Sequence, residues 1–269
     1  MTNYLKEFQN CFLPLAQKHD GSRAFSDFVD LATIAIRQSI HFDTEVEKHY
    51  LELIKTYSRE EAQVFPELLA IVTSALEKEP CDFLGSAFHS LELNSKEMAQ
   101  YFTPYQISRF IGRIIFTEGD AARSIREDGY LTVNDPCCGA GGFLIASAEA
   151  FKDLKFNPHT QLLVSAEDIS HVAVGMTYIQ LSLLGIPAIV SRRNTLTQEN
   201  FYTYYTPMFF WQDWPNRIKW GRMKNIMMQI SEGKFPISQT ANQQVQPVQQ
   251  PPFPIPFVES AVQMDFDFY

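Results

Sequence analysis

The sequence predicts an α/β protein in which a parallel, doubly wound sheet follows a helical N-terminal region. Three observations favour this fold class. Apolar residues recur at helical spacing through the first part of the chain. After residue 130, short apolar runs alternate with amphipathic helical patterns, as in βα units. A glycine-rich segment joins the first of these runs to a helical pattern that begins at Gly142.

Composition places the chain among ordinary globular proteins. Its 269 residues are 45% hydrophobic and carry a formal net charge of −9, which argues against nonspecific coating of nucleic acid but leaves DNA open as a substrate. No apolar run reaches the roughly 18 residues of a membrane helix, and residues 1–10 lack the apolar stretch of a signal peptide. The four cysteines show no metal-ligand spacing. We therefore expect a cytoplasmic protein with reduced thiols, no membrane contact and no metal.

Helical patterns fill the first 95 residues, which we predict to form a separate helical domain. Ser58 with Glu61 has the pattern of a capping box, and so does Thr44 with Glu47. Pro80 ends the last of these helical patterns. These residues predict helices and no particular function.

An aromatic motif precedes the next helix. Residues 100–105 read Gln-Tyr-Phe-Thr-Pro-Tyr. Thr103 can cap a helix that has Pro104 in its first turn. Two aromatic residues directly before a helix form either a platform beside the flat ring of a ligand or a hydrophobic staple. The residues leave both interpretations open.

Alternating patterns predict the α/β domain, which we assign to residues 96–234. The expected elements are a strand ending at Asp135, helices over residues 142–151 and 171–184, and strands over residues 161–166 and 186–190. Parallel strands bring their carboxyl ends to one edge of the sheet, where ligands bind. Glu167 and Asp168 follow one of these strands, and Asn194 follows the next.

Aromatic and basic residues are concentrated between residues 200 and 224. They suit base stacking with phosphate contact, and they suit equally an edge strand packed on a core. Two basic patches stand out: Arg192 with Arg193, and the run Arg217, Lys219, Arg222 and Lys224. The run is either a DNA contact or the solvated face of a helix. Residues 235–269 are rich in Gln and Pro and predict a flexible tail.

The loop at residues 135–142, Asp-Pro-Cys-Cys-Gly-Ala-Gly-Gly, allows three interpretations. A dinucleotide loop would need a third glycine where Leu144 stands. An S-adenosylmethionine loop needs an acid at the end of the first strand and a second acid, for the ribose hydroxyls, at the end of the next strand. Asp135 and Glu167 meet these two requirements. A strand-to-helix turn without a ligand is the third interpretation.

Taken together, the motifs resemble the N6-adenine DNA methyltransferases, in particular the modification subunits of type I restriction systems and related orphan enzymes. The Tyr-Phe-Thr-Pro motif, the glycine loop and Ala-Glu at residues 166–167 follow the order of that family, and Arg-Asn-Thr-Leu at residues 193–196 is similar to its Gly-Asp-Thr-Leu element. The resemblance covers roughly residues 20–210. It implies a class I S-adenosylmethionine-dependent methyltransferase fold (Rossmann-like) and methyl transfer from S-adenosylmethionine to N6 of adenine in DNA.

The resemblance also implies the residues of the site. Those expected at the cofactor are Gln100, Tyr101, Phe102, Thr103, Pro104, Tyr105, Asp135, Pro136, Gly139, Ala140, Gly141, Glu167 and Asn194. The oxygen of Asn194 would accept a hydrogen bond from the adenine amine of the cofactor. Thr206, Pro207 and Phe209 would be catalytic, because they stand where the family has an Asn/Asp/Ser-Pro-Pro-Tyr/Phe motif that holds and stacks the flipped base.

Two departures from the family keep a second function open. Thr206 offers a hydroxyl where the family offers a carbonyl or carboxylate acceptor, and Met208 replaces the second proline. Little folded sequence is expected after Trp220, whereas modification subunits continue and depend on a specificity subunit. The alternative is a catalytically degenerate protein that binds S-adenosylmethionine or a partner and regulates a restriction–modification system. Methylation of RNA or of a protein is a third reading. The expected partners are DNA and a specificity or restriction subunit.

Overall fold

The structure, a computed structural model, describes residues 2–91 and 102–231. It is a mixed α/β structure with one four-stranded sheet. The chain divides into two units, residues 1–212 and residues 213–269. Within the described ranges, no helix is long and apolar enough to cross a membrane.

Helices precede the first strand, as the sequence patterns predict. The helices that precede the sheet are α1 (Thr2–Lys18), α2 (Gly21–Gln38), α3 (Thr44–Ile54), α4 (Arg59–Lys78), α5 (Phe83–Ser90), α6 (Tyr105–Ile115) and α7 (Glu118–Asp128). The α/β part comprises β1 (Leu131–Asp135), α8 (Gly142–Asp153), α9 (Pro158–Gln161), β2 (Leu162–Asp168), α10 (His171–Leu183), β3 (Ala188–Asn194), β4 (Glu199–Tyr205) and α11 (Pro207–Trp211). The second unit contains α12 (Trp214–Ser231).

Short polar side chains fix where α3 and α4 begin. The predicted capping box of α4 is confirmed, because Ser58 Oγ accepts the N–H of Glu61 while the Glu61 carboxylate accepts the N–H of Ser58. The predicted cap of α3 is wrong by one residue. Asp43, rather than Thr44, accepts two N–H groups of the first turn, since a carboxylate is a strong acceptor at this position.

The N-terminal helices pack around an aromatic core. Its fully buried rings include Phe8, Phe12, Phe25, Phe28 and Phe83. Phe8 meets Phe28 and Phe83 edge to face, with ring centroids 5.6 and 5.8 Å apart, an arrangement that aromatic quadrupoles favour. Ala140, Met176 and Ile179 of the α/β part belong to the same core. The helical region therefore packs directly on the elements that carry the glycine loop.

The sheet has the strand order β1-β2-β3-β4. Strands β1, β2 and β3 are parallel, as predicted. β4 turns back and pairs antiparallel with β3, with Tyr205 opposite Ile189 and Glu199 opposite Asn194. The aromatic segment after residue 200 thus begins with an edge strand, one of the two interpretations of its composition. β1 is the other edge, and no strand of the described ranges pairs with its outer side.

Helices α8 and α10 cover the strands, and α6 packs on α8. The contact between α6 and α8 is close, since a Cβ at Gly112 would lie 3.3 Å from the carbonyl oxygen of Ala146. The opposite side of α6 is apolar and solvent-exposed. This α6 stripe consists of Ile107, Phe110, Ile111, Ile114 and Ile115. Such a contiguous apolar patch is unusual on an isolated soluble chain.

Candidate functional site

The glycine loop crosses the carboxyl end of β1 and leads directly into α8. Gly141 is the N-cap residue of α8 with φ of 90°, and Gly139 has φ of 55°. Both values lie in the left-handed region, which residues with a Cβ rarely adopt. The backbone of the loop therefore requires glycine at these two positions.

The aromatic motif packs on this loop. A Cβ at Gly139 would lie 2.7 Å from Cδ1 of Phe102, so the ring of Phe102 rests directly on the glycine. The ring also contacts Phe88, at a centroid distance of 5.6 Å. The N–H of Phe102 also donates to Nε2 of His89 at 3.2 Å. The structure thus brings together two segments that are 37 residues apart in the sequence.

The remaining residues of the aromatic motif differ in their positions. Tyr105 donates its hydroxyl to the carboxylate of Glu149 on α8, and burial together with this carboxylate raises the pKa of Tyr105. Thr103 and Pro104 are exposed. Pro104 is the N-cap residue of α6 and no side chain caps this helix, so the predicted cap at Thr103 is wrong. The predicted positions Gln100 and Tyr101 lie outside the described residues.

Two carboxylates lie at the carboxyl ends of β1 and β2. Asp135 accepts the N–H of Cys137 at 3.1 Å, and Asp168 accepts the N–H of Gly139 at 3.0 Å. Burial raises the pKa of Asp135, and the negative charge of Asp168 raises it further. This mutual repulsion makes the edge favourable for a positively charged group of a ligand.

The predicted ribose acceptor, Glu167, already has partners within the protein. Its Oε1 lies 3.2 Å from Nη1 of Arg193. The hydroxyl of Thr195 lies 3.5 Å from Oε2 of Glu167 and donates to the carbonyl oxygen of Pro136 at 2.7 Å. Nε of Arg193 is buried without a hydrogen-bond partner in the described part of the chain. A ligand hydroxyl would therefore share Glu167 with Arg193, and a ligand oxygen could satisfy this unpaired N–H.

Asn194 forms the turn between β3 and β4. Its side-chain oxygen accepts the N–H groups of Leu196 at 3.1 Å and Thr197 at 3.2 Å. An amide oxygen has two lone pairs, and the backbone already uses both directions. An adenine amine would have to compete with this turn for the oxygen of Asn194.

The segment expected to be catalytic lies beside the amino end of β3, whereas Asn194 is at the carboxyl end of that strand. Because β4 is antiparallel, its last residue pairs with the start of β3, and Thr206 bonds to Ala188 rather than lying near Asn194. Six residue steps of β3, about 20 Å at about 3.3 Å per residue, separate Ala188 from Asn194. In the register of the sheet, Ala188 lies level with Val133 of β1, two residues before Asp135.

The hydrogen bonds of Thr206 account for its position. Its hydroxyl donates to the carbonyl oxygen of Ile186 at 2.8 Å and accepts the N–H of Ala188 at 2.9 Å, and the residue is fully buried. Pro207 begins α11 and is buried, as is Phe209, whose ring contacts Tyr205 at 4.9 Å between centroids. The hydroxyl of Thr206 thus connects the end of β4 to the segment that enters β3. The assignment of Thr206, Pro207 and Phe209 as base-holding residues stays a prediction.

Sequence reasoning missed two side chains of α10 that hold the loop. The hydroxyl of Thr177 donates to the carbonyl oxygen of Gly139 at 2.9 Å. The amide of Gln180 donates to the carbonyl oxygen of Ala140 at 2.8 Å. The sequence contained a signal for this contact, because Thr177 and Gln180 are polar residues three positions apart in an otherwise largely apolar helix. Buried polar side chains need partners, so such a pair marks a point of contact.

Two other expectations concern charge and metals. The basic run lies on α12, where the guanidinium of Arg217 stacks on the ring of Trp214 at 3.9 Å and Lys219 is exposed. The location of the run on a helix agrees with both of its interpretations. No group of three or more His, Cys, Asp or Glu residues in the described ranges could hold a metal ion.

Comparison with known proteins adds one match. A family model described as N-6 DNA Methylase matches residues 86–242, which is more than half of the 269 residues. No curated protein and no solved structure matches the chain. The matched region includes the aromatic motif, the glycine loop and the acidic ends of β1 and β2. The chain belongs to the N-6 DNA methylase family.

Proposed function

We propose that the chain binds S-adenosylmethionine at the carboxyl ends of β1, β2 and β3, and that its reaction is methyl transfer to N6 of adenine in DNA. One observation carries the proposal. The glycine loop, Asp135 and Glu167 converge on one edge of a parallel sheet, which is where α/β folds bind nucleotide-like ligands. Membership of the N-6 DNA methylase family supports the choice of ligand and reaction.

The residues at this edge fit the proposed cofactor. Its sulfonium and amino groups are positive, and the carboxylates of Asp135 and Asp168 favour positive charge there. Gly139 and Gly141 let the loop take its left-handed backbone course at the carboxyl end of β1. The unpaired Nε of Arg193 provides a donor beside Glu167. When bound, S-adenosylmethionine would supply the methyl group as an electrophile.

Each residue would contribute binding and orientation. Glu167 would accept the ribose hydroxyls, and Asp135 would lie near the methionine portion, with the backbone of Pro136, Gly139, Ala140 and Gly141 around it. The remaining cofactor positions, Gln100 to Tyr105 and Asn194, stay predictions. A class I, Rossmann-like methyltransferase fold over residues 96–234, a helical domain over residues 1–95 and a tail over residues 235–269 accompany this function.

A second candidate function is a family member that binds the cofactor or a partner without transferring the methyl group by itself. The favouring observation is Thr206, whose hydroxyl is buried and already bonds to Ile186 and Ala188 within the protein. The unpaired edge of β1 and the α6 stripe offer surfaces on which a partner could pack. A likeness to the modification subunit of a restriction–modification system would agree with such a partner.

Two measurements on the same preparations separate the candidates. N6-methyladenine is mapped in DNA from cells that express the chain, and S-adenosylmethionine binding is measured by calorimetry. Methylation that disappears in Asp135→Ala and persists in Asp153→Ala, an exposed carboxylate on α8, supports the enzyme. Binding without methylation supports the second candidate. No binding contradicts the enzyme and leaves only the partner-binding form of the second candidate.

Pro207→Ala tests the catalytic segment directly. We predict that this variant binds S-adenosylmethionine as the native chain does, because Pro207 lies beside the amino end of β3 and the loop lies at the carboxyl ends of β1 and β2. If the native chain methylates DNA, the same variant should retain that activity in proportion to its folded fraction. Loss of methylation in a fully folded, cofactor-binding Pro207→Ala variant would restore the catalytic assignment.

A further inference from the structure

A buried glutamine connects the cofactor loop to the helical region. Gln180 is fully buried on α10. Its Oε1 accepts the N–H groups of Phe83 at 2.8 Å and Leu84 at 3.0 Å, in the first turn of α5. Its Nε2 donates to Oδ1 of Asp82 at 3.0 Å and to the carbonyl oxygen of Ala140 at 2.8 Å. A side-chain amide has two donors and two acceptor directions, and the protein uses all four.

Asp82 completes this connection. It is the N-cap residue of α5 and accepts the N–H of Gly85 at 2.9 Å through the oxygen that Gln180 also contacts. Its carboxylate faces the start of α8 as well, since a Cβ at Gly142 would lie 3.1 Å from Oδ2 of Asp82. The start of α5, the start of α8 and the loop therefore meet at one buried pair of polar side chains.

We propose that Gln180 is a positioning residue for the cofactor loop, and that its bond to Ala140 sets the affinity for S-adenosylmethionine. This inference rests on the proposed function. Ala140 lies between two glycines in left-handed conformations, and glycine backbones lose much freedom when they are ordered. The Gln180 amide holds the peptide between Ala140 and Gly141 in one orientation, so ligand binding need not order it.

The alternative is that Gln180 only stabilises the fold through α5, and a pair of variants separates the two roles. Gln180→Met keeps much of the side-chain volume and removes all four hydrogen bonds. Asp82→Ala removes the acceptor of the Gly85 N–H and one partner of Gln180, and it keeps the bond from Gln180 to the carbonyl of Ala140.

Gln38→Met is the matched control. Gln38 also bonds through both ends of its amide, to the backbone of Asp43 and to the carboxylate of Glu47. These contacts join α2 to α3 and do not involve the loop. The control therefore loses a comparable set of hydrogen bonds at another place in the same unit.

Cofactor affinity is measured by calorimetry at a temperature at which every variant is folded, together with Tm. We expect Gln180→Met to lower both, with affinity falling about tenfold, the equivalent of about 1.4 kcal/mol. Asp82→Ala should lower Tm and leave the affinity within about twofold of the native value. Gln38→Met should lower Tm and leave affinity unchanged.

The outcomes distinguish the two proposals. If the native chain binds no S-adenosylmethionine, the proposed function itself is wrong. If it binds and Asp82→Ala loses as much affinity as Gln180→Met, Gln180 has only a structural role and the inference is overturned. Native affinity in Gln180→Met would overturn it as well. A lowered Tm with near-native affinity in Asp82→Ala, beside weakened affinity in Gln180→Met, supports the positioning role.

Discussion

Replacing Thr206 by valine tests whether this residue stabilises the pairing of β4 with β3 or takes part in catalysis. Valine has almost the same shape, so Thr206→Val removes the hydroxyl and little else. The carbonyl of Ile186 and the N–H of Ala188 both lose a buried partner. A lost hydrogen bond costs about 0.5–1.5 kcal/mol and an unsatisfied buried group about 1–3 kcal/mol, so we expect about 2–4 kcal/mol of destabilisation.

This change should be visible as a fall in Tm on the order of 10 °C, since about 1 kcal/mol shifts a domain of this size by about 2–4 °C. Urea unfolding gives the free energy directly. Thr203→Val, which removes a partly buried hydroxyl that meets Ser191 on the neighbouring strand, is the control and should cost less. S-adenosylmethionine affinity below the transition should be unchanged in both variants. A stable Thr206→Val variant that loses DNA methylation would refute the structural role.

Three further predictions concern the cofactor edge. Gly139→Ala should destabilise the chain by about 1–2 kcal/mol, because the φ of 55° at this position is unfavourable for alanine. It should also weaken S-adenosylmethionine binding. The control, Gly119→Ala, has no atom within 4 Å of the new methyl and should change neither stability nor binding. Arg193→Met should weaken S-adenosylmethionine binding up to about fivefold by calorimetry, because it removes the Nε donor beside Glu167. Stronger binding would mean that Arg193 competes with the ligand for Glu167. Burial raises the pKa of Asp135 in the folded chain, so its contribution to stability is complete below its unfolded pKa of about 3.9 and is lost as pH rises through the folded value. The free energy of unfolding of Asp135→Asn should therefore exceed that of the native chain at pH 7, and the excess should shrink as the pH falls. An excess that does not depend on pH would contradict this explanation.

The sequence by itself determined the local elements. The capping box of Ser58 and Glu61, the helix from Gly142 and the strands on either side of α10 follow from residue spacing, because periodicity and capping act over a few residues. The glycine loop was identified in the same way. Its two left-handed glycines are a property of the local backbone. The order of these local motifs also indicated the family.

Only the tertiary structure decided what lies near the loop. β4 returns along β3 after residues 195–198, and this antiparallel pairing, which the sequence patterns left open, puts Thr206 beside Ala188 at the amino end of β3. Glu167 pairs with Arg193, which is 26 residues away in the sequence. Gln180 bonds to Asp82 and Ala140, which are 98 and 40 residues away. Such contacts are set by packing and by the need of buried polar groups for partners. Residue spacing carries no information about which distant group will satisfy them.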